Sequence, residues 1–516
     1  MSSRPQRLVY ESLLASAEAA PDKDAVVDEF GSRTYAQLAD DALRVAQLLR
    51  DEGLERGDRV AIQLDNTAAC ASAIFGTLLA GGVVMVVNQQ TKAGKLALLL
   101  DDSGASFLLT EGHAAAVAAD ALEQASSKPR VFSTPSTVAP TPFADLGDAL
   151  AATEPATSRP PTIPPDLAVL VYTSGTTGRP KGVMLSHQSL VFVAGSIAEY
   201  LRLDVDDRIL SILPLAFTYG LSQLLLTALL GATLLLERSF AFPARTLQRL
   251  RAERATVFPA VPTVYATLLG LEHEAPYESV RCLTNAAAGL PPAFHDPLRG
   301  LFPNADLYRM YGLTECVRAC YLEPELIDGK PSSVGRAIPG TEAFVLGDDG
   351  SPVAPGETGV LHVRGPNVMM GYWRDGATTE HMLKAGPFPG ERILCTHDHF
   401  TVDEEGLLYF VGRTDDIIKT RGEKVSAVEV ENVLHAMDGV RQAAVVGVPD
   451  ELLGQAVHAY VVLDDRTLTE HDILRFARSR LENFMVPKAV AIVDELPHTE
   501  SGKVQKRRLV DGESAA

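Results

Sequence analysis

The chain of 516 residues has one tryptophan, five cysteines and many fewer basic than acidic side chains, 46 Lys and Arg against 66 Asp and Glu. Each scarcity removes a class of function. A formal net charge of -20 leaves no excess of cations to neutralise phosphates along a nucleic acid or to bind an anionic bilayer, so neither is an expected partner. Cys70, Cys282, Cys316, Cys320 and Cys395 are odd in number and lack paired metal spacing. That pattern predicts reduced, mostly buried thiols rather than disulfides or a zinc centre. No apolar run is long enough to span a bilayer. The most apolar, residues 221–236, is interrupted by Ser222, Gln223, Thr227, Gly231 and Thr233, and reads as a buried helix, a glycine break and a buried strand. The opening stretch MSSRPQRLVYESLLASAEAAPDKD has no uninterrupted apolar segment of the signal-peptide kind, so a soluble, cytoplasmic protein is expected.

What is present has the rhythm of an α/β protein too long for a single core. Val- and Ile-rich runs alternate with amphipathic stretches: 34–53 predicts a helix ended by Gly53, 58–66 a strand, and 68–88 repeats the pattern. A Ser/Thr/Pro/Ala-rich passage, 126–165, leads into the buried strand of DLAVLVYTSGTTG. Around Asp398 the texture changes to a hairpin, a polar turn, a second hairpin and a helix. The last roughly 100 residues predict a small separate unit. The Gly-led polar segment 412–416 suits a hinge before it.

Four segments carry chemistry. The first is VYTSGTTGRPKGVMLSH, residues 171–187, whose glycines, hydroxyls and lysine suggest a phosphate-binding concavity. It is not the familiar phosphate loop, which needs Gly-Lys followed by Ser or Thr on a strand-to-helix turn. Here Gly178 is followed by Arg179, Pro180 and Lys181, and proline has no N–H to donate. The second is MYGLTE, 310–315, with a ring, a hydroxyl and a carboxylate. The third, THD followed by GRTDDIIK, offers Asp398, Arg413, Asp415 and Lys419. In the fourth, TESGKVQKRRL, Lys503 follows a Ser-Gly turn.

Together, over nearly the whole chain, these resemble the acyl-adenylating, AMP-forming superfamily of acyl-CoA synthetases, peptide-synthetase adenylation domains and luciferases. The pattern is most similar to bacterial acyl and aryl acid AMP-ligases. The resemblance implies an α/β fold: a large N-terminal domain of mixed sheets with helices (1–411), a hinge (412–416) centred on Asp415, and a small mobile α+β C-terminal domain (417–516). It implies ATP and Mg²⁺. Thr173, Ser174, Gly175, Thr176, Thr177, Gly178 and Lys181 would close over the β- and γ-phosphates. Tyr311 would stack near the adenine, Thr314 would contact the α-phosphate, and Glu315 would ligate Mg²⁺. Asp398 would accept from the ribose hydroxyls with Arg413 alongside, and Lys503 would reach the bridging oxygen or the carboxylate. Lys503, Thr314, Glu315 and Lys181 are thus the catalytic candidates. The physical requirement agrees, because joining a carboxylate to an α-phosphorus brings two anions together and needs positioning and charge neutralisation above all.

Departures from the family pattern point to the substrate. LPLAFTYG, 213–220, matches the pocket-lining segment, and Thr218 after Phe217 stands where amino-acid-activating relatives carry Asp. A hydroxyl cannot compensate a buried ammonium, so an acid without an α-amino group is expected. In TNAAAGL, 284–290, where relatives often read Gly-Gly-Ala-Pro-Leu, Ala286 and Ala287 add methyl groups in place of the two glycines, with Ala288 beside them in the pocket. With Tyr219, Val261 and Pro262 as neighbours they predict a compact aryl or cyclic acid. His397 replaces a usual glycine before Asp398, and Ala427 a frequent proline. The expected acceptor is a thiol, coenzyme A or the phosphopantetheine of a carrier protein, because a thiolate is a competent nucleophile near neutral pH. The alternative is a free amine, for which His397 is the candidate base. A non-catalytic copy of the fold would have no reason to keep Lys181, Glu315, Asp398, Arg413 and Lys503 together.

Overall fold

The computed structural model describes residues 6–135, 140–174, 180–271, 276–413, 417–420, 423–450, 453–464, 467–481, 483–499 and 503–510. Their strands form three sheets, of fourteen, eight and five strands. In the eight-stranded sheet Arg59–Gln63, Val83–Val86, Phe107–Thr110 and Arg130–Ser133 run parallel. The buried strand Leu167–Ser174 lies beside Val83–Val86 and forms an antiparallel pair with Pro180–Ser186.

The fourteen-stranded sheet has two halves. Asp24–Asp28, Thr233–Leu236, Arg208–Ser211, Val257–Ala260, Cys282–Asn285 and Asp306–Tyr311 are parallel neighbours. From Cys320–Leu322 onward, through Ser333–Ala337, Leu408–Arg413 and Arg392–Val402, pairing is antiparallel. The run at 221–236 forms as expected: helix Thr218–Leu230, Gly231 at φ 70°, and strand Thr233–Leu236. The expected helix and strand at 34–66 appear as Tyr35–Asp51 and Arg59–Gln63. Both hairpins after Asp398 are present, followed by helix Ala427–His435. Ala427 opens that helix, a position that suits alanine as well as proline.

One continuous core serves the two large sheets. A second core, running from Ile418 to Val490, and a smaller cluster, from Ala444 to Leu509, draw only on the C-terminal part, which is therefore a smaller domain in its own right. Among the described residues, a hydrogen bond and a ring contact join the parts. The Ser426 hydroxyl donates to the Val411 carbonyl, and the Phe294 and His435 rings meet edge to face at 6.1 Å. All five cysteines are free and buried, and burial raises every thiol pKa. No helix among the described residues is long and apolar enough to cross a membrane.

His187, the first residue of helix His187–Tyr200, is 1% exposed and accepts a hydrogen bond from the Val9 N–H at 3.2 Å. Burial lowers its pKa from 6.5 to about 4, and that of the buried His295 also to about 4. The unfolded chain therefore binds protons that the folded chain refuses. Stability is full above pH 6.5 and falls between pH 6.5 and 4, by up to about 3 kcal/mol for His187 alone. Melting temperatures recorded from pH 7.5 to 4.5 should fall across that window, and His187→Gln should flatten the slope. An unchanged slope in the variant would rule out His187 as a source.

Candidate active site

The fourteen-stranded sheet changes from parallel to antiparallel between Asp306–Tyr311 and Cys320–Leu322, and the turn joining them carries Thr314 and Glu315. Gly312 allows that turn to fold back tightly: a Cβ there would lie 2.8 Å from the Val317 carbonyl oxygen and 2.9 Å from the Arg318 Cα. Glu315 is anchored twice. Its main-chain oxygen accepts from the Met369 N–H at 2.8 Å, and its Oε1 accepts from the Tyr372 hydroxyl at 2.6 Å. Tyr372 belongs to the short strand Gly371–Tyr372, which pairs with Pro180–Ser186 in the other large sheet. From that strand Lys181 brings its Nζ to 5.6 Å from the Tyr372 ring centre. Tyr372 thus ties the carboxylate of one sheet to the lysine of the other. Oε2 of Glu315 has no such tie among the described residues and is a hard oxygen donor of the kind Mg²⁺ prefers.

Lys181 is the register partner of Thr173, so the glycine-rich segment joins two antiparallel strands and differs structurally from a strand-to-helix phosphate loop. Gly175, Thr176, Thr177 and Gly178, the Ser174 side chain and Asp415 lie outside the described residues.

Asp398 and Arg413 are facing residues of strands Arg392–Val402 and Leu408–Arg413. Asp398 is 4% exposed; its Oδ2 accepts from the Tyr311 hydroxyl at 2.5 Å, and its Oδ1 lies 3.5 Å from the Arg413 Nε. Burial raises its pKa, while Arg413, the Tyr311 hydrogen bond and Lys503 oppose the rise. The Tyr311 ring is held edge-on by Phe400 at 4.9 Å. From the C-terminal part, Lys503 enters the same space. Burial, and then Arg413, lower its pKa, while Asp398 and Glu315 hold its charge against that fall. Lys503, Glu315, Asp398 and Arg413 therefore converge although 188 residues separate Glu315 from Lys503.

The predicted acid pocket lies at the start of helix Thr218–Leu230. Asn66 fixes the approach to it, donating to the Leu213 carbonyl at 2.9 Å and accepting from the Leu215 N–H at 3.0 Å. Gly220 is required there, because a Cβ would lie 2.2 Å from the Pro214 carbonyl oxygen. Phe217 and Thr218 are half-buried, whereas Tyr219 and Val261 are buried. The Tyr219 hydroxyl is engaged by Thr284, 2.9 Å from its carbonyl and 2.7 Å from its hydroxyl. The three alanines differ among themselves. Ala286 is buried, Ala287 is half-buried at φ 73°, and Ala288 is exposed. A left-handed alanine is strained, which is why this position favours glycine. His397 stacks on His381 at 4.5 Å, and burial, then His381 and Lys384, lower its pKa.

Residues 13–373 match the AMP-binding enzyme family, and residues 429–503 match the AMP-binding enzyme C-terminal domain. The chain belongs to the AMP-binding enzyme family. It is 31% identical over 550 residues to a long-chain-fatty-acid–CoA ligase of Bacillus subtilis, covering 99% of this chain and 95% of that protein. It is 34% identical over 499 residues to a feruloyl-CoA synthase of an Amycolatopsis species, covering 95% and 96%. The ATP-bound crystal structure of MatB from Rhodopseudomonas palustris matches with a TM-score of 0.88 at 30% identity, over 98% of this chain and 99% of that one. This AMP-binding enzyme has the expected arrangement of a large α/β domain and a smaller C-terminal domain. Tyr372 was not legible as a site residue, since GYW has neither the charge nor the spacing that marks the other four segments.

Proposed function

We propose that this AMP-binding enzyme is an acid–CoA ligase working in two half-reactions on one site. A carboxylate oxygen attacks the α-phosphorus of ATP, forming acyl-AMP and releasing pyrophosphate. The thiolate sulfur of coenzyme A then attacks the acyl carbon, forming a thioester and releasing AMP. The observation that carries this reading is the convergence of Lys503 with Glu315, Asp398 and Arg413. Two anions meeting at phosphorus need fixed cations beside them, which Lys503 and Arg413 supply, while Glu315 is free to hold a metal cation and Asp398 to accept from hydroxyls. Mg²⁺, held by Glu315, would add neutralising charge on the phosphates. Lys181 would cover the outer phosphates, Thr314 the α-phosphate, Asp398 and Arg413 the ribose, and Tyr311 the adenine.

The acid is a compact aryl or cyclic one without an α-amino group. The half-buried Thr218 supports this, because it supplies no charge for an ammonium, as does the methyl group of Ala287. Coenzyme A is preferred over a carrier protein or an amine. The two relatives described above are CoA ligases, and the ring of His397, the candidate base for an amine, is stacked on His381. We also propose that the C-terminal domain, beginning near 417 after a hinge at 412–416, turns about Asp415 between the half-reactions, so that Lys503 leaves before the thiol enters. Pyrophosphate release should be followed across aryl, cyclic, fatty and α-amino acids, and thioester or amide formation with coenzyme A, a phosphopantetheinylated carrier or simple amines. Acid-dependent pyrophosphate release with a CoA thioester as product is expected. Preferred turnover of an α-amino acid, or amide as the main product, would overturn this assignment.

A further inference from the structure

Just past Glu315 the backbone makes a second tight turn. The Arg318 N–H donates to the Cys316 carbonyl at 2.6 Å, and Val317 between them has φ 60°. A three-residue turn with a β-branched residue in the left-handed region is rare and strained, and such strain gathers where a side chain must be aimed. The side chain aimed here is Arg318. It is 3% exposed, and its guanidinium carbon lies 5.0 Å from the centre of the Tyr219 ring. Its charge also acts on the buried Tyr219 hydroxyl, and its side chain reaches the Tyr200 hydroxyl as a hydrogen-bond partner, a neutral one that leaves the charge unmatched. Among the described residues no carboxylate pairs with it, and its Nε has no hydrogen-bond partner. Arginine buried to this degree is normally matched by an anion.

The position says where that anion comes from. Tyr219 is the second residue of the helix that opens the acid pocket, and its hydroxyl is fastened to Thr284, just before Ala286 and Ala287. Arg318 is four residues beyond Thr314, so one turn presents both the α-phosphate candidate and a buried cation against the pocket wall. We propose that Arg318 pairs with a second carboxylate on the substrate, making the preferred acid a compact aryl or cyclic dicarboxylic acid that is activated at the carboxylate away from Arg318. This rests on the acid–CoA ligase reading above. The planar guanidinium fork matches a carboxylate in two parallel hydrogen bonds, and a neutral acceptor would leave its charge uncompensated. The same charge repels an ammonium, so Arg318 and Thr218 exclude α-amino acids for two independent reasons.

The test is pyrophosphate release with ATP and Mg²⁺ on benzoate, the three benzene dicarboxylates and their cyclohexane counterparts, for the parent, Arg318→Met and Arg318→Lys. The parent should favour one dicarboxylate over its monocarboxylate on the order of 10²–10³-fold in kcat/KM. Arg318→Met should abolish or invert that preference, chiefly through KM, and Arg318→Lys should keep part of it. The dicarboxylate should raise the parent's melting temperature in the presence of ATP but not that of Arg318→Met. Equal use of mono- and dicarboxylates by the parent would overturn the proposal, as would a preference that survives in Arg318→Met. Equal loss on every acid in both variants would make Arg318 a structural strut and also overturn it. Absence of pyrophosphate release with any acid, fatty and aryl acids included, would instead strike at the ligase reading.

Discussion

Lys503→Ala should lower acid-dependent pyrophosphate release by about 10²–10³-fold while ATP affinity stays within a few-fold of the parent. The expected loss corresponds to roughly 3–4 kcal/mol of transition-state stabilisation. Lys503 is the cation that the C-terminal domain contributes to the cluster of Glu315, Asp398 and Arg413, and its proposed role is to meet the charge that builds up at phosphorus. The other described contacts with nucleotide-binding candidates remain in place without it, so equilibrium binding of ATP should persist. The second half-reaction supplies the internal control. Given synthetic acyl-AMP and coenzyme A, the variant should form thioester at close to the parent rate, because that step is proposed to follow departure of Lys503. Near-normal pyrophosphate release would remove Lys503 from the mechanism. Equal loss in both half-reactions would point to a damaged site rather than a missing charge.

Glu315→Gln should cost a similar factor, on the order of 10²–10³, but with a different signature. Glutamine keeps an oxygen for the Tyr372 hydroxyl and loses the charge. The Mg²⁺ concentration for half-maximal pyrophosphate release should therefore rise at least about tenfold, which Lys503→Ala should not cause. Tyr372→Phe removes only the hydrogen bond to Oε1 and should cost about tenfold, in line with the roughly 1–1.5 kcal/mol of one such bond. An unchanged Mg²⁺ dependence in Glu315→Gln would exclude this carboxylate as a metal ligand. A Tyr372→Phe variant as damaged as Glu315→Gln would mean that the tie between the two sheets matters more than the carboxylate it holds.

The order of elements was readable wherever composition changed sharply. Gly53 and Gly231 marked the end of a helix, and the pair of hairpins after Asp398 followed from alternating residues broken by polar turns. The charged members of the site were readable because each sits in a segment of unusual composition. Tyr372 and Arg318 were not. One is an aromatic residue on a two-residue strand, and the other an arginine in an apolar passage, so their importance arises only when distant segments meet. The alanines show a further limit. Their small size was legible at 286–288, but the left-handed backbone of Ala287 and the exposure of Ala288 depend on the turn they occupy. His397 looked like a newcomer beside a ribose-binding candidate, and only the fold reveals that its ring turns toward His381.

The separate cores of the two parts have a consequence for descent. The candidates for the wall of the acid pocket lie in the large domain, and the small domain contributes Lys503. On the proposed roles, choice of acid and delivery of the lysine are thus carried by units with separate cores. Substitutions that reshape the pocket around Tyr219, Ala287 and Arg318 need no matching change beyond residue 417. Lineages of such enzymes can then diversify their acids while one lysine-bearing module passes down nearly unaltered.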